Sequence, residues 1–302
     1  MVAVLLPWND VMISALNPTE GALPSAVSFV SRLRGATQPV IVLTTGLKFC
    51  VAKFRDFTGR HGLLAEAVGA GILSAMGLPV PKWTPIRFTD EFLDEHPKAW
   101  LPNAPGRRVI RPRAGLHFGS RLMTSANGEE PYPIIPTSWV PKVENRRDFV
   151  GVLLADLWMN NCDRRQAVYV ADVSQERLRA VFIDNDWAFG GYRGDEKTTP
   201  RRAMIPFAGF YDGLWTEANL DFWKKRLARV DETRLDAIFD AVPGEWADAD
   251  SIRWARSQLS RRRLMLDSLI DETADVLREG RFVAASAPRS GIEEASRRTS
   301  PK

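Results

Sequence analysis

The stretch FIDNDWAFGG, Phe182 to Gly191, ends an apolar run on two carboxylates, Asp184 and Asp186. Its lead-in of Ala180, Val181, Phe182 and Ile183 has the β-branched and aromatic character of a buried strand. A lone carboxylate is costly to strip of water, so acids placed where such a strand surfaces call for a partner or a metal. Asp163, in NNCDRRQAVYVAD, stands 21 residues before Asp184. The intervening AVYVADVSQERLRAVFID reads as a β-hairpin, whose return would bring the two acids together. Acids that converge this way suit a metal-bound phosphate, one orienting the attacking hydroxyl and the other gripping Mg²⁺. For Asp163 the alternative is a helix-ending turn with an Asp–Arg surface pair.

Two further positions carry charge or polarity in unusual settings. Lys53, in CVAKF, is a lysine inside an apolar strand, which is costly unless its ammonium meets an anion. Glu66, thirteen residues on, lies near the start of the next helical pattern and could supply one. The alternative is an edge-strand lysine pointing to solvent. In RGATQPV, Arg34 to Val40, Gly35 permits close backbone approach, and Thr37 and the amides up to Gln38 could donate to phosphate oxygens. An ordinary loop is the competing reading, because neither a Walker pattern nor GxGxxG is present.

The elements that position these residues change character near residue 140. Before it, QPVIVLTTGLKFCVAKF reads as a hairpin turning at Thr44, Thr45 and Gly46. GLLAEAVGAGILSAM, from Gly62, has helical spacing and stops at Gly77. After it, Arg146 to Asn161 carries an apolar stripe, and further helices are expected over Glu217–Val230, Glu232–Val242 and Ser251–Leu277. The run Arg261 to Arg263 in the last of these reads as a solvated basic face. The expectation is an α+β, two-lobed fold: a β-rich lobe over 1–140, a mainly helical lobe over 141–282, and a disordered tail over 283–302.

Composition narrows the classes. A chain of 302 residues, 45% hydrophobic and 26% charged, has ample material for a buried core. A net charge of +4 allows an anionic ligand without arguing for a dedicated nucleic-acid protein. Cys50 and Cys162 are too few for a disulfide framework or multi-cysteine zinc site and read as buried thiols. His61, His96 and His117 show no metal-ligand spacing. The start has neither the basic lead nor the cleavage site of a secretory signal, and FVGVLLADLW is too short to span a bilayer, so a cytoplasmic protein without membrane association is expected.

Taken in order, RGATQPV, VAKF, LLAEAVGAGILSAMGLPVP, GLHFGSRL, DLWMNNCDRRQAVY and FIDNDWAFGG resemble the HipA-like kinases, atypical members of the protein-kinase-like fold. The resemblance runs from about Thr37 to Gly191. It implies that Lys53 contacts the α- and β-phosphates of ATP and that Glu66 positions it. It further implies that Asp163 orients or deprotonates the acceptor hydroxyl, that Asp184 binds Mg²⁺, and that Gly35 to Gln38 lie over the phosphates. GLHFGSRL receives no assigned role. Two positions depart from the pattern. Five residues after Asp163, where kinases usually carry a second metal-binding Asn, stands Val168, with Gln166 the nearest amide and a possible substitute. Asp186 stands where a small residue is expected and is a candidate metal ligand.

The implied function is ATP- and Mg²⁺-dependent phosphoryl transfer to a hydroxyl, on Ser or Thr of a protein or on a small molecule. The alternatives are a nucleotide-binding pseudokinase and a nucleic-acid partner using Arg261 to Arg263 and the basic tail. A DNA-binding antitoxin-type partner is suggested by the family name alone. Thr198 and Thr199 fall in a polar segment, 188–202, that reads as mobile and open to phosphorylation.

Overall fold

Alternation of apolar side chains builds the first lobe. In the computed structural model, which describes residues 23–35, 37–59, 61–101, 109–125, 127–163, 165–174, 176–193 and 210–278, strands β1 (Ala26–Arg32), β2 (Val40–Thr44) and β3 (Lys48–Lys53) run antiparallel. Gly46 and Leu47 turn the β2–β3 hairpin with positive φ. Helix α1 (Gly62–Ala75) follows, then β4 (Trp83–Phe88), the short α2 (Asp90–Glu95) and β5 (Gly115–Arg121), which inserts between β3 and β4. The sheet order is therefore β1-β2-β3-β5-β4.

The two faces of this sheet have different fates. Val40, Val42, Cys50 and Ala52 pack with Ile86 and Phe88 against Phe92 and Leu93 of α2. The alternate residues Ile41, Leu43, Phe49 and Val51 share the opposite face with Lys53, cross-strand pairs holding Ile41 to Val51 and Leu43 to Phe49. On that face α1 is buried along nearly its whole length. Its C-terminus closes with Leu78 N–H on Leu73 O and Gly77 N–H on Ser74 O, Gly77 having φ 80°.

The second lobe is built around α3 (Asp148–Met159), buried from Phe149 to Met159. It ends at Asn160, whose left-handed backbone (φ 52°, ψ 48°) turns the chain into a hairpin of β6 (Gln166–Ala171) and β7 (Leu178–Ile183). Helices α4 (Glu217–Ala228), α5 (Glu232–Asp240), α6 (Ala249–Leu264) and α7 (Leu266–Arg278) complete it. Trp158 Nε1 donates to Leu259 O at 2.9 Å and Trp223 Nε1 to Arg147 O at 3.0 Å, which ties α6 and α4 to the central helix. The whole is two-lobed, a small antiparallel β lobe on a larger helical one.

Two expectations need correcting. Ser251–Leu277 is two helices, broken at Met265 (φ −96°, ψ −1°), where the last turn of α6 tightens. The buried positions Ala255, Leu259, Arg262, Leu266, Leu269 and Thr273 continue at helical spacing across the break, so periodicity reads one helix. Nor is Arg261 to Arg263 simply a solvated face. Arg262 is buried and donates Nε to Leu157 O at 2.8 Å. Arg263 lies 4.4 Å over the Trp158 ring and donates to Val230 O at 2.6 Å. Arg262 satisfies a helix-end carbonyl, Arg263 one just past the end of α4, and Arg263 covers the Trp158 ring. The tail 283–302 and Thr198 and Thr199 lie outside the described residues.

Candidate functional site

Lys53 ends β3 on the half-open face of the sheet, and its ammonium is buried among three carboxylates. It pairs with Glu66 of α1, reaches Asp184 Oδ1 at 2.6 Å and lies 3.5 Å from Asp186 Oδ2. The edge-strand, solvent-facing reading of Lys53 is thereby excluded. Burial works against the ammonium, but the charges of Glu66, Asp184 and Asp186 outweigh it and hold Lys53 above the usual lysine range. Burial likewise raises Glu66, only partly offset by Lys53. Asp184 stays below the usual carboxylate range because Lys53 outweighs its desolvation. Asp186 is pushed up to about 8 by burial, with Lys53 opposing and Asp184 and Glu66 adding repulsion. One oxygen from each of Glu66, Asp184 and Asp186 lies within 4.8 Å of the others.

The loop that carries these acids is held from both lobes. Asp184 adopts φ 67°, an uncommon left-handed conformation for a residue with a Cβ. Asn185 follows, buried, and donates its N–H to Glu66 Oε2 at 3.1 Å. Gly69 of α1 lets the loop come this close: a Cβ there would stand 2.5 Å from that of Asn185. From the helical lobe, Arg165 donates Nη1 to Asn185 Oδ1 at 2.9 Å and to the carbonyls of Ile183 and Asp184 at 3.1 and 3.2 Å. Its guanidinium also pairs bidentately with Asp156 of α3. Asn161 completes the group by donating to Asp156 Oδ1 at 3.0 Å.

Asp163 sits beyond the start of the β6–β7 hairpin, and the pairing of Gln166 with Ile183 puts it at the same end as Asp184. Its backbone N–H donates to Asn161 Oδ1 at 3.3 Å, and Gln166 Nε2 lies 3.5 Å from its carboxylate. Gln166 is exposed and its amide nitrogen faces Asp163. Val168, paired with Val181 in the hairpin, offers no ligand atom. The segment Gly35–Gln38 links β1 to β2, and the pairing of Val40 with Ala52 places it at the Lys53 end of the sheet. Gly35 (φ 147°) and Gln38 (φ 43°) shape this loop, Thr37 is buried, and Arg32 fixes it by donating to Gln38 O at 3.2 Å and to Lys98 O at 2.8 Å.

The structure thus brings together Lys53, Glu66, Asp184 and Asp186, and pairs Asp163 with Gln166 nearby. Sequence reasoning missed Asn185, Arg165 and Asn161. The one visible trace was Asp156, an acid inside an otherwise apolar helix, whose partner lies nine residues on across a turn. GLHFGSRL also gains a structural role. His117 Nδ1 accepts from Arg55 N–H at 3.0 Å and its Nε2 lies 2.9 Å from Arg113 O. Leu116 N–H donates to Glu245 Oε2 at 3.1 Å and Trp246 Nε1 to Leu116 O at 2.8 Å, so this strand also fastens the helical lobe to the sheet.

No family model and no curated protein matches the sequence. Among solved structures, the Helicobacter pylori proinflammatory kinase CtkA is similar with a TM-score of 0.50 at 12% identity, over 84% of this chain and 98% of that one. The HipA, HipB and operator DNA complex of the Shewanella oneidensis toxin–antitoxin system gives 0.46 at 14% identity, over 86% and 67%. The Golgi casein kinase with Mn/ADP bound gives 0.44 at 13%, over 91% and 77%. The likeness to CtkA, with the strand order and the helical lobe, defines a two-lobed protein-kinase-like fold. Among the described residues no helix is long and apolar enough to cross a membrane.

Proposed function

We propose that this chain is an ATP- and Mg²⁺-dependent kinase that transfers the γ-phosphoryl group to a hydroxyl, the favoured acceptor being Ser or Thr of a protein. The carrying observation is the buried Lys53–Glu66 pair with Asp184 in contact with the same ammonium. Three carboxyl groups crowd one lysine, and their hard oxygens suit a small divalent cation. Asp184 is the residue proposed to hold it, and the bound cation would neutralise charge on the phosphates.

Lys53 is held in place by Glu66 and can donate to phosphate oxygens from the end of β3. The partly open apolar face of Ile41, Leu43, Phe49 and Val51 beside it suits the flat face of a purine. The loop Gly35–Gln38 lies at the same end of the sheet and would cover the phosphates with backbone amides. Asp163, steadied by Gln166, would orient the acceptor hydroxyl and take its proton. These groups act by positioning and by charge, which is where phosphoryl transfer gains most of its rate.

A pseudokinase is the second reading, and one observation favours it: Val168 has no metal-binding atom. A nucleic-acid role for Arg261 to Arg263 loses support, since Arg262 and Arg263 are engaged in packing the helices. Thermal unfolding with ATP, with and without Mg²⁺, followed by transfer of labelled phosphate to a Ser/Thr peptide mixture, separates the readings. A kinase shows a Mg²⁺-dependent stabilisation, about 2.7 kcal/mol at 100 times the dissociation constant, and transfer that Asp163→Asn abolishes while binding persists. Binding without transfer means the pseudokinase; no shift at millimolar ATP removes both.

A further inference from the structure

We infer that Asp186 is the second protein ligand of the divalent cation, in place of the position five residues after Asp163, which Val168 occupies. The inference rests on the kinase reading and specifies how its site holds metal. Val168 has only a hydrocarbon side chain and pairs with Val181, three residues before Asp184. Gln166, two residues earlier, is exposed and turns its amide nitrogen to Asp163.

The chain makes up the ligand from the other strand. The left-handed turn at Asp184 and the two-sided hold on Asn185, by Glu66 Oε2 and by Arg165, fold the loop so that Asp186 returns beside Asp184. Both carboxylates then face the same ammonium, at 2.6 and 3.5 Å. The oxygens of the acid group lie within 4.8 Å of one another. Oxygens bound to a cation at about 2.1 Å stand roughly 3 to 4 Å apart, so only a small contraction is needed. Glu66 is already engaged through both oxygens, one with Lys53 and one with the Asn185 amide. Asp184 and Asp186 are left as the pair able to exchange the lysine for a metal, with Lys53 passing to the nucleotide phosphates. Two carboxylates in place of a carboxylate and an amide add one negative charge, which favours a compact divalent ion.

Mn²⁺ binding, read as the fall of the free-ion signal in electron paramagnetic resonance, tests this on the full chain with and without ADP. Wild type with ADP is expected to bind Mn²⁺, and Asp186→Asn to weaken it by more than about tenfold. The melting temperature of the variant without metal controls for folding. Mn²⁺ binding by Asp186→Asn equal to wild type overturns the inference and leaves the kinase reading intact. If wild type takes up neither ADP nor Mn²⁺, the kinase reading fails and the inference with it.

Discussion

Two buried cation–carboxylate clusters meet at Asn185, and they are built on opposite plans. On the helical side Arg165 faces one acid, Asp156, and its remaining donors go to two carbonyls and the Asn185 side chain, while Asn161 caps Asp156. Charges cancel and donors are matched. On the sheet side Lys53 faces three carboxyl groups, Glu66, Asp184 and Asp186, with Asp184 at 21% exposure still open to solvent. A closed, neutral network is a structural joint, because every member is satisfied without outside help. An open, acid-rich one has room for another cation. The difference separates the group that sets the loop's position from the group that would use it.

Removing Arg165 should therefore have the largest effect. Arg165→Met leaves Asp156 buried without its partner and strips three acceptors of their donor, an event that costs about 3–5 kcal/mol. Urea unfolding without ligand measures it, and saturating Mg²⁺ and ATP should not mask the underlying loss. A cost under about 1 kcal/mol would place Arg165 in the class of surface pairs and dissolve the contrast.

His117 supplies an intermediate case, a buried titratable group matched in its neutral form. Its Nδ1 accepts from Arg55 N–H, leaving the proton on Nε2 to face Arg113 O, and its ring packs edge-on to Phe54 and Phe88. Burial lowers it to about 4, the Arg113 carbonyl and Asp56 opposing only in part. Between that value and the ordinary 6.5, the unfolded chain binds a proton that the native state refuses. Stability is thus full above about pH 6.5 and falls as the pH drops toward 4, by about 3 kcal/mol. Urea midpoints from pH 7 to pH 4 should show this slope, and His117→Gln should flatten it. An unchanged slope in that variant would mean that other groups carry the acid sensitivity.

Much of the frame was legible because it is local. The β2–β3 hairpin, α1 up to Gly77, α3 and the β6–β7 hairpin each follow from side-chain period and turn residues within one segment. The Lys53–Glu66 pair was legible too, since a lysine in an apolar strand demands an anion and the next helix offers one. What escaped depends on partners far apart in sequence. Asn185 reads as a loop residue until Glu66, 119 residues earlier, and Arg165 are both seen to hold it. Arg262 reads as solvated until Leu157 O, 105 residues away, is found to need a donor. The break at Met265 escaped because the apolar spacing runs straight through it.

The sharpest test of the contrast is the one whose sign is opposite. In the open cluster, removing a negative charge should stabilise the protein when no metal is present. Asp186 is pushed up to about 8, chiefly by burial, so the native state keeps a proton that the unfolded chain releases near pH 4. Its contribution is present below the unfolded value and is lost as pH rises toward 8, which makes the ionised form a liability in the metal-free protein. Asp186→Asn keeps the shape and removes the liability, so it should gain stability near pH 8 and gain less near pH 5. Urea unfolding in the presence of a chelator reads the gain directly. Added Mn²⁺ and ADP should then reverse the order, because the carboxylate that weakens the empty site is the one proposed to strengthen the filled one. If Asp186→Asn instead destabilises the metal-free protein as Arg165→Met does, both clusters are structural joints, and the acids around Lys53 lose their claim to a cation.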